Sequence, residues 1–497
     1  MNNDLTRRHF LVTTGAVAAT VLGRPFLFDI DSAYSQTQCP VTGGAFVRRD
    51  VGGLSATDPI IISYRKAIAA MKALPSTNPL SWDYQAAIHG TCMSGNLPLA
   101  WNTCEHGIYR TTDPMPSGSP YFFVWHRMYL YWFERIIRKM SCDPTWALPY
   151  WNWHCPSQRN LPAMFRDPNI PELYVAATDL QCTIPGRPAA VNDGSFALQD
   201  SDVDISSLTD LVFYSSGTGF DYDFQSTPHN VVHGMLGGWM GDPQTAARDP
   251  IFFLHHANMD RYWNLWLAQG GSRSDPTTNN AWTAYARPFF CEDGTPVTTK
   301  SCDVLQAKNQ LGYTYEGECT QVNQTCGVFS GGWLLDTIFV SELNIPPFSL
   351  GSEKVTVPIG VLPSQFWQAG ERGEKANLQL GNVEALHSPG VSWEVYVGLP
   401  SGAAPSPDSP YYVGLISLFA TGIRNQSHHG FQPAFFNFVM NRALLAVPNV
   451  ALSLTFVLHP LLINGNLVPP PVQSPVTISK ISLAITKEVP AEPSVNP

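Results

Sequence analysis

Apolar residues recur at three- and four-residue intervals in the first half of this chain and alternate with polar ones in its last third. Over Asp58 to Leu74 the positions Ile61, Tyr64, Ile68 and Met71 lie on one face of a 3.6-residue spiral, so an amphipathic helix is expected there. A second helix is expected over Trp125 to Met140, with an aromatic stripe suited to core packing. Pro228 marks a helix start before His229, and Asp249-Pro250 pairs a cap with a first-turn proline before the run that carries His256. Four helices of this kind predict a bundle. Beyond about residue 345, the runs beginning at Lys354, Trp393, Ala451 and Val476 are short, β-branched and split by Pro- and Gly-rich turns, which predicts an antiparallel sandwich. The expected fold is a mainly α four-helix-bundle domain over 36–290, a connecting region over 291–345 and a C-terminal β-sandwich over 346–497.

Composition agrees with a folded protein of more than one domain: 497 residues are 44% hydrophobic and 12% aromatic. The formal net charge of −10 argues against nucleic acid or an anionic membrane surface as partner. Residues 1–35 read as an export signal, because Arg7-Arg8 precede an apolar stretch from Leu11 to Leu22 that is too short to span a bilayer. This matches a twin-arginine signal, so a periplasmic or secreted protein without a membrane anchor is expected. Ten cysteines suit that oxidising compartment. Local spacing suggests the pairs Cys142/Cys155, Cys291/Cys302 and Cys319/Cys326.

The candidate chemistry lies in six histidines that fall in two triplets. His229 and His233 are four apart, on one helical face, and His256 arrives from a second helix; His89, His106 and His126 form the other set. Three neutral imidazoles leave coordination positions open for a small molecule. A zinc protease would need His-Glu-x-x-His, and here Asn230 follows His229. A non-haem iron oxygenase would need a carboxylate in the set. Two all-histidine sites facing each other suit copper, which reacts with dioxygen.

The segments around His89, Trp125-His126-Arg127, Ala147-Leu-Pro-Tyr-Trp-Asn-Trp153 and Ala247-Arg-Asp-Pro-Ile-Phe-Phe-Leu-His-His256-Ala-Asn-Met-Asp260 resemble the type 3 copper proteins. These are the tyrosinases, catechol oxidases and molluscan haemocyanins. The likeness is closest to plant-type polyphenol oxidases, and includes Tyr313-Thr-Tyr315 and Trp393-Glu-Val-Tyr-Val. It implies a dinuclear copper centre with His89, His106 and His126 on one ion and His229, His233 and His256 on the other, His255 being a non-ligand neighbour. It also implies dioxygen and a small phenol as substrates, o-diphenols being oxidised to o-quinones. The alternatives are an o-aminophenol oxidase and a haemocyanin-like oxygen binder. Cys104, two residues before His106, resembles the thioether partner of fungal tyrosinases, and Cys92 lies nearer the position that plant enzymes use. Asp260 and Asn258 are expected to orient ligand imidazoles. Where monophenol-hydroxylating plant enzymes often carry a Glu, this chain has Gln225, four residues before His229 and paired with Asn230. An amide can position a water but cannot take its proton, so diphenol oxidation is expected to dominate; Asp221 and Asp223 are other candidate carboxylates. The 20-residue gap between His106 and His126 departs from the plant pattern and places an inserted loop at Thr111 to Tyr121.

Overall fold

The computed structural model describes residues 46–93, 95–104, 120–215, 218–316, 333–351, 353–387, 390–419, 433–447 and 451–490. The export signal, His106, all but the end of the Thr111–Tyr121 loop and the Cys319/Cys326 pair lie outside them.

The expected helices form. α1 (Pro59–Lys72) begins where the Asp58 carboxylate accepts from the Ile60 N–H, and it buries Ile61, Tyr64, Ile68 and Met71. α2 (Trp82–His89) is capped by the Ser81 hydroxyl, which accepts from Tyr84 N–H at 3.1 Å. α3 (Phe122–Ser141) is buried along nearly its whole length and packs against α1 and α5. α4 (Asn230–Leu236) follows a tight turn over Gln225–His229. α5 (Ile251–Ala268) starts from Asp249, whose carboxylate accepts from Ile251 N–H at 3.1 Å and is itself clasped by Arg187.

The stretch 291–345 divides between two cores. Strand β1 (Phe46–Arg48) pairs in parallel with β2 (Tyr313–Tyr315), and this brings Arg48, Tyr313 and Tyr315 onto α5. The helical core runs from Val51 to Tyr315, whereas residues from Trp333 onward join the C-terminal domain. That domain is a sandwich of two antiparallel sheets. One has the order β5 (Lys354–Val361), β10 (Ala451–Leu458), β7 (Trp393–Val397), β8 (Tyr412–Ile416). The other has the order β9 (Ala434–Val439), β6 (Lys375–Ala385), β11 (Val476–Pro490), β3 (Trp333–Leu343), with β4 (Phe348–Leu350) also on β11. Alternate residues such as Leu378, Leu380, Leu454, Phe456 and Leu483 fill the space between them.

The sandwich also reaches back. Leu462 and Ile463 pair with Ala197 and Phe196 of the helical domain, and Leu415 and Phe419 are buried in the helical core.

Two of the expected disulfides are corrected. Cys142 and Cys155 are both free thiols. Cys291 and Cys302 are each disulfide-bonded, but not to each other: they sit at opposite ends of a hairpin in which Phe290 faces Pro296 and Ala286 faces Lys300. Four strand residues separate those rungs by roughly 14 Å, beyond the ~6 Å that a disulfide bridges. The spacing rule fails because the intervening residues make a hairpin along which the two cysteines are far apart. A bond that spacing did not suggest joins Cys92 to Cys182, 90 residues apart.

Candidate metal centre

Four of the candidate ligands that the structure describes are held by an oxygen acceptor on Nδ1. His89 ends α2, and its Nδ1 meets the carbonyl of Pro243 at 2.9 Å. His126 lies in the first turns of α3 with Nδ1 on the Phe122 carbonyl at 2.8 Å. His229 Nδ1 meets Asn230 Oδ1 at 2.9 Å, and His233 Nδ1 meets the Met240 carbonyl at 2.7 Å. These oxygens only accept, so in all four rings Nδ1 carries the proton and Nε2 keeps its lone pair. Acceptors of this kind fix the tautomer and the ring orientation of metal ligands.

The Nε2 atoms then converge. His256 Nε2 lies 3.3 Å from that of His229 and 3.2 Å from that of His233. Metal–nitrogen bonds of ~2.0 Å at near-tetrahedral angles leave ligand atoms about 3.3 Å apart, so the spacing fits one ion. His89, Cys104 and His126 form a second group whose ligand atoms lie within 4.8 Å of one another. The groups face each other, with the His126 and His256 rings stacked 4.1 Å apart.

Burial keeps His89 and His256 neutral. It pushes His89 down to about 4, against the Pro243 carbonyl, and lowers His256 well below the ordinary range, with repulsion from the surrounding histidines adding to the effect. Phe122 and Phe252 form an apolar wall, with ring centroids 4.5 Å from His229 and 4.2 Å from His256. The donors are therefore uncharged nitrogens, walled from water and without a carboxylate among them. That donor set suits copper.

By distance His255 also belongs to the group of His229, His233 and His256. Its Nδ1 accepts from the Trp153 indole N–H at 3.0 Å. Because an indole only donates, the proton of a neutral His255 lies on Nε2, and that atom has no lone pair for a metal. The non-ligand role expected of His255 thus has a physical cause that spacing could not supply.

Other expected site residues fall differently. Asn230 sits beside the centre and orients His229. Gln225 is buried, and neither polar atom of its amide has a protein partner among the described residues. Asp260 orients no imidazole among the described residues. Its oxygens accept from Arg127 Nε at 2.5 Å, Arg48 Nη1 at 3.3 Å, and the Tyr313 and Tyr315 hydroxyls at 2.6 and 2.7 Å. Burial alone would raise its carboxyl, but the two guanidinium groups and the hydroxyls hold it below the usual range. One helical turn past His256 and on the same face of α5, it is taken up by groups of α3, β1 and β2 and ties these elements together. Asn258 likewise meets Arg261 and, among the described residues, no ligand ring. Asp221 accepts from Phe123 N–H, and burial pushes its carboxyl well up; Asp223 is tied to Gly219 N–H and Thr218 in its own loop. Cys92 is committed to Cys182 and so is not a thioether partner, whereas Cys104 Sγ lies 3.5 Å from His126 Nε2.

One residue beside the centre carries no sequence signal. Phe419, from the C-terminal domain, lies flat on the His233 ring with centroids 3.9 Å apart and planes 8° from parallel. Ser417 Oγ, two residues earlier, donates to the Asn230 carbonyl at 3.0 Å.

Comparison with known proteins agrees with this geometry. Residues 79–197 and 195–269 match the family model described as the common central domain of tyrosinase. A tyrosinase of Hahella sp. (strain CCB-MM4) is 34% identical over 415 residues, covering 74% of this chain and 84% of that protein. The chain belongs to the tyrosinase family. It is an enzyme of that family, and the two histidine groups fit the family's dinuclear copper centre. The latent form of an apricot (Prunus armeniaca) polyphenol oxidase is 34% identical over 292 residues, which is 52% of this chain but only 47% of that protein. The structure of latent apple tyrosinase superimposes with a TM-score of 0.62 at 23% identity, over 91% of this chain and all of the other, so the two-domain tyrosinase fold is shared.

Proposed function

We propose that His229, His233 and His256 hold one copper ion and that His89, His106 and His126 hold the other. The protein then oxidises o-diphenols to o-quinones with dioxygen. The observation that carries this reading is the approach of His256 Nε2 to within 3.3 and 3.2 Å of the Nε2 atoms of His229 and His233, all three rings being buried. Bound there, the copper pair supplies dioxygen activation and two-electron oxidation of a phenol.

The chain's own contribution is to fix and to exclude. The carbonyls of Pro243, Phe122 and Met240 and the Asn230 amide hold Nε2 of their rings toward the centre. Phe122 and Phe252 keep water from it. Gln225, buried with an unpartnered amide, is placed to hold a solvent molecule near His229 without taking its proton. This favours diphenols, which bind as chelates, over monophenols. Phe419 covers His233, so the chain described here is the closed form, and a phenol ring has to displace that side chain. The Cys92–Cys182 disulfide supports an oxidising compartment, in line with export by the twin-arginine signal. No described helix is long and apolar enough to cross a membrane.

The test is oxygen uptake by copper-loaded protein with catechol, tyramine and 2-aminophenol. Catechol turnover is expected to exceed the other two. A faster rate on 2-aminophenol would make the protein an aminophenol oxidase, and reversible oxygen binding without any quinone would make it a carrier. His256→Ala should lose about one copper per chain by elemental analysis, and two coppers retained would overturn the ligand assignment.

A further inference from the structure

His459 follows β10 in the C-terminal domain and is buried. Its Nδ1 lies 2.7 Å from Glu394 Oε1 on β7, and its Nε2 lies 2.7 Å from Asp202 Oδ1 in the Ser201–Val203 turn of the helical domain. A carboxylate can only accept, and a neutral imidazole has one N–H. With a carboxylate oxygen on each nitrogen, both must donate, and the ring is an imidazolium.

We propose that this imidazolium is a charge-operated latch that holds the C-terminal domain on the helical domain and releases it as the ring loses its proton. The position supports a docking role. The latch stands beside the interdomain strand pair Phe196↔Ile463 and Ala197↔Leu462, and Gln199 of the helical domain donates to the Pro460 carbonyl at 2.6 Å. Loss of the proton would leave a ring lone pair against one carboxylate and two buried negative charges with no cation between them. Other contacts across the interface, Lys375–Asp210 and Tyr222 to the Phe435 carbonyl, do not depend on His459.

The groups facing the ring fix the direction of the pH response. On β7, Glu394 also accepts from the Tyr396 hydroxyl; on β8, Tyr412 faces Glu394, Asp202 and Asp204. Burial pushes both tyrosines upward, with the carboxylates adding, so neither supplies a charge that could replace the imidazolium. Burial alone would lower His459, but Asp202 and Glu394 outweigh it and raise it from 6.5 to about 9. A group raised in the docked state stabilises docking fully below its undocked value, and that stabilisation is lost as pH rises through about 9. The latch is closed at neutrality, where both carboxylates are ionised and the ring is protonated, and it opens in alkali.

Hydrogen exchange of the full-length protein tests this, read at Phe196–Ala197 and Leu461–Ile463 from pH 6 to 10 after correction for intrinsic rates. The opening constant at these amides is expected to rise about tenfold or more between pH 7 and 9 in the wild type. In His459→Gln, whose neutral amide keeps the shape but does not titrate, the constant should not change with pH. Asp202→Asn should be more open than wild type at pH 7. Unchanged protection of α5 serves as the check on folding. The same pH profile in wild type and His459→Gln overturns the latch, as does an Asp202→Asn interface as closed as the wild type. The control of activity through Phe419 rests on the catalytic reading above, but exchange reads docking directly. A latch that opens without changing oxidase rates would therefore count against that reading and leave the latch standing.

Discussion

Replacing Phe419 with alanine tests whether the sandwich domain restrains the copper centre. The side chain is 2% exposed and stacks on the ring of His233. Burying a phenylalanine contributes about 1.5–3 kcal/mol, and a stacked aromatic pair about 0.5–1.5 kcal/mol more. A phenol that has to displace this ring therefore works against about 2–4 kcal/mol. The apparent affinity for substrate falls by the fraction of molecules with the ring withdrawn, which corresponds to roughly 30- to 1,000-fold. In Phe419→Ala that handicap is gone, and kcat/KM for 4-tert-butylcatechol should rise at least about tenfold, measured as initial rates of quinone formation. The same change leaves a hole in the helical core, and stability should fall by about 3–5 kcal/mol, visible as a lower Tm. Copper content should not change, since no ligand is replaced. A folded, fully copper-loaded variant with unchanged kcat/KM would refute the reasoning, because the ring would then not lie in the path of the substrate.

Three other expectations are independent of that one. Gln225→Glu should raise the ratio of tyramine to dopamine turnover, by on the order of a hundredfold at most, whereas Asp221→Asn and Asp223→Asn should leave it alone; no change with Gln225→Glu would remove this residue from proton transfer. Asp260→Asn leaves Arg48 and Arg127 without their shared carboxylate, so urea unfolding should show a loss of about 3–5 kcal/mol; an unchanged midpoint would show that the two tyrosines suffice. If Cys104 is joined to His106, the intact mass should fall by two hydrogens beyond those lost to disulfides and a tryptic fragment should carry the link, and a Cys104 that alkylates readily would exclude it.

Much of this architecture could be read from periodicity. α1 buries the four residues that its spacing singled out, and the four runs named after residue 345 are all strands. His229, His233 and His256 were legible because four-residue spacing and a capped helix start are local signals. What decides their chemistry is not local. The acceptors on His89 and His233 are backbone carbonyls of Pro243 and Met240, and a carbonyl carries no residue-type signature. Trp153 reaches His255 across 102 residues, and Phe419 reaches the site from another domain. Asp260 misled because an acid one turn beyond a ligand shares that ligand's helix face, and only the partners brought by α3, β1 and β2 show that guanidinium groups and tyrosine hydroxyls take up its oxygens. The cysteine pairs misled for a similar reason: short spacing does not show whether the residues between form a closed loop or an extended hairpin.

The parallel pair of β1 and β2 constrains where the chain can be cut. Arg48 comes from near the start of the described residues and Tyr315 from the end of the helical core, and both meet on Asp260. A protease that strips off the sandwich but leaves a working helical unit therefore has to act after Glu316, and a shortened chain intended for the same purpose has to keep both Phe46–Arg48 and Tyr313–Tyr315. A cut at the end of the hairpin near Lys300 would remove the cover and the fastening of α5 together, and the product would be an unstable fragment instead of an uncovered enzyme.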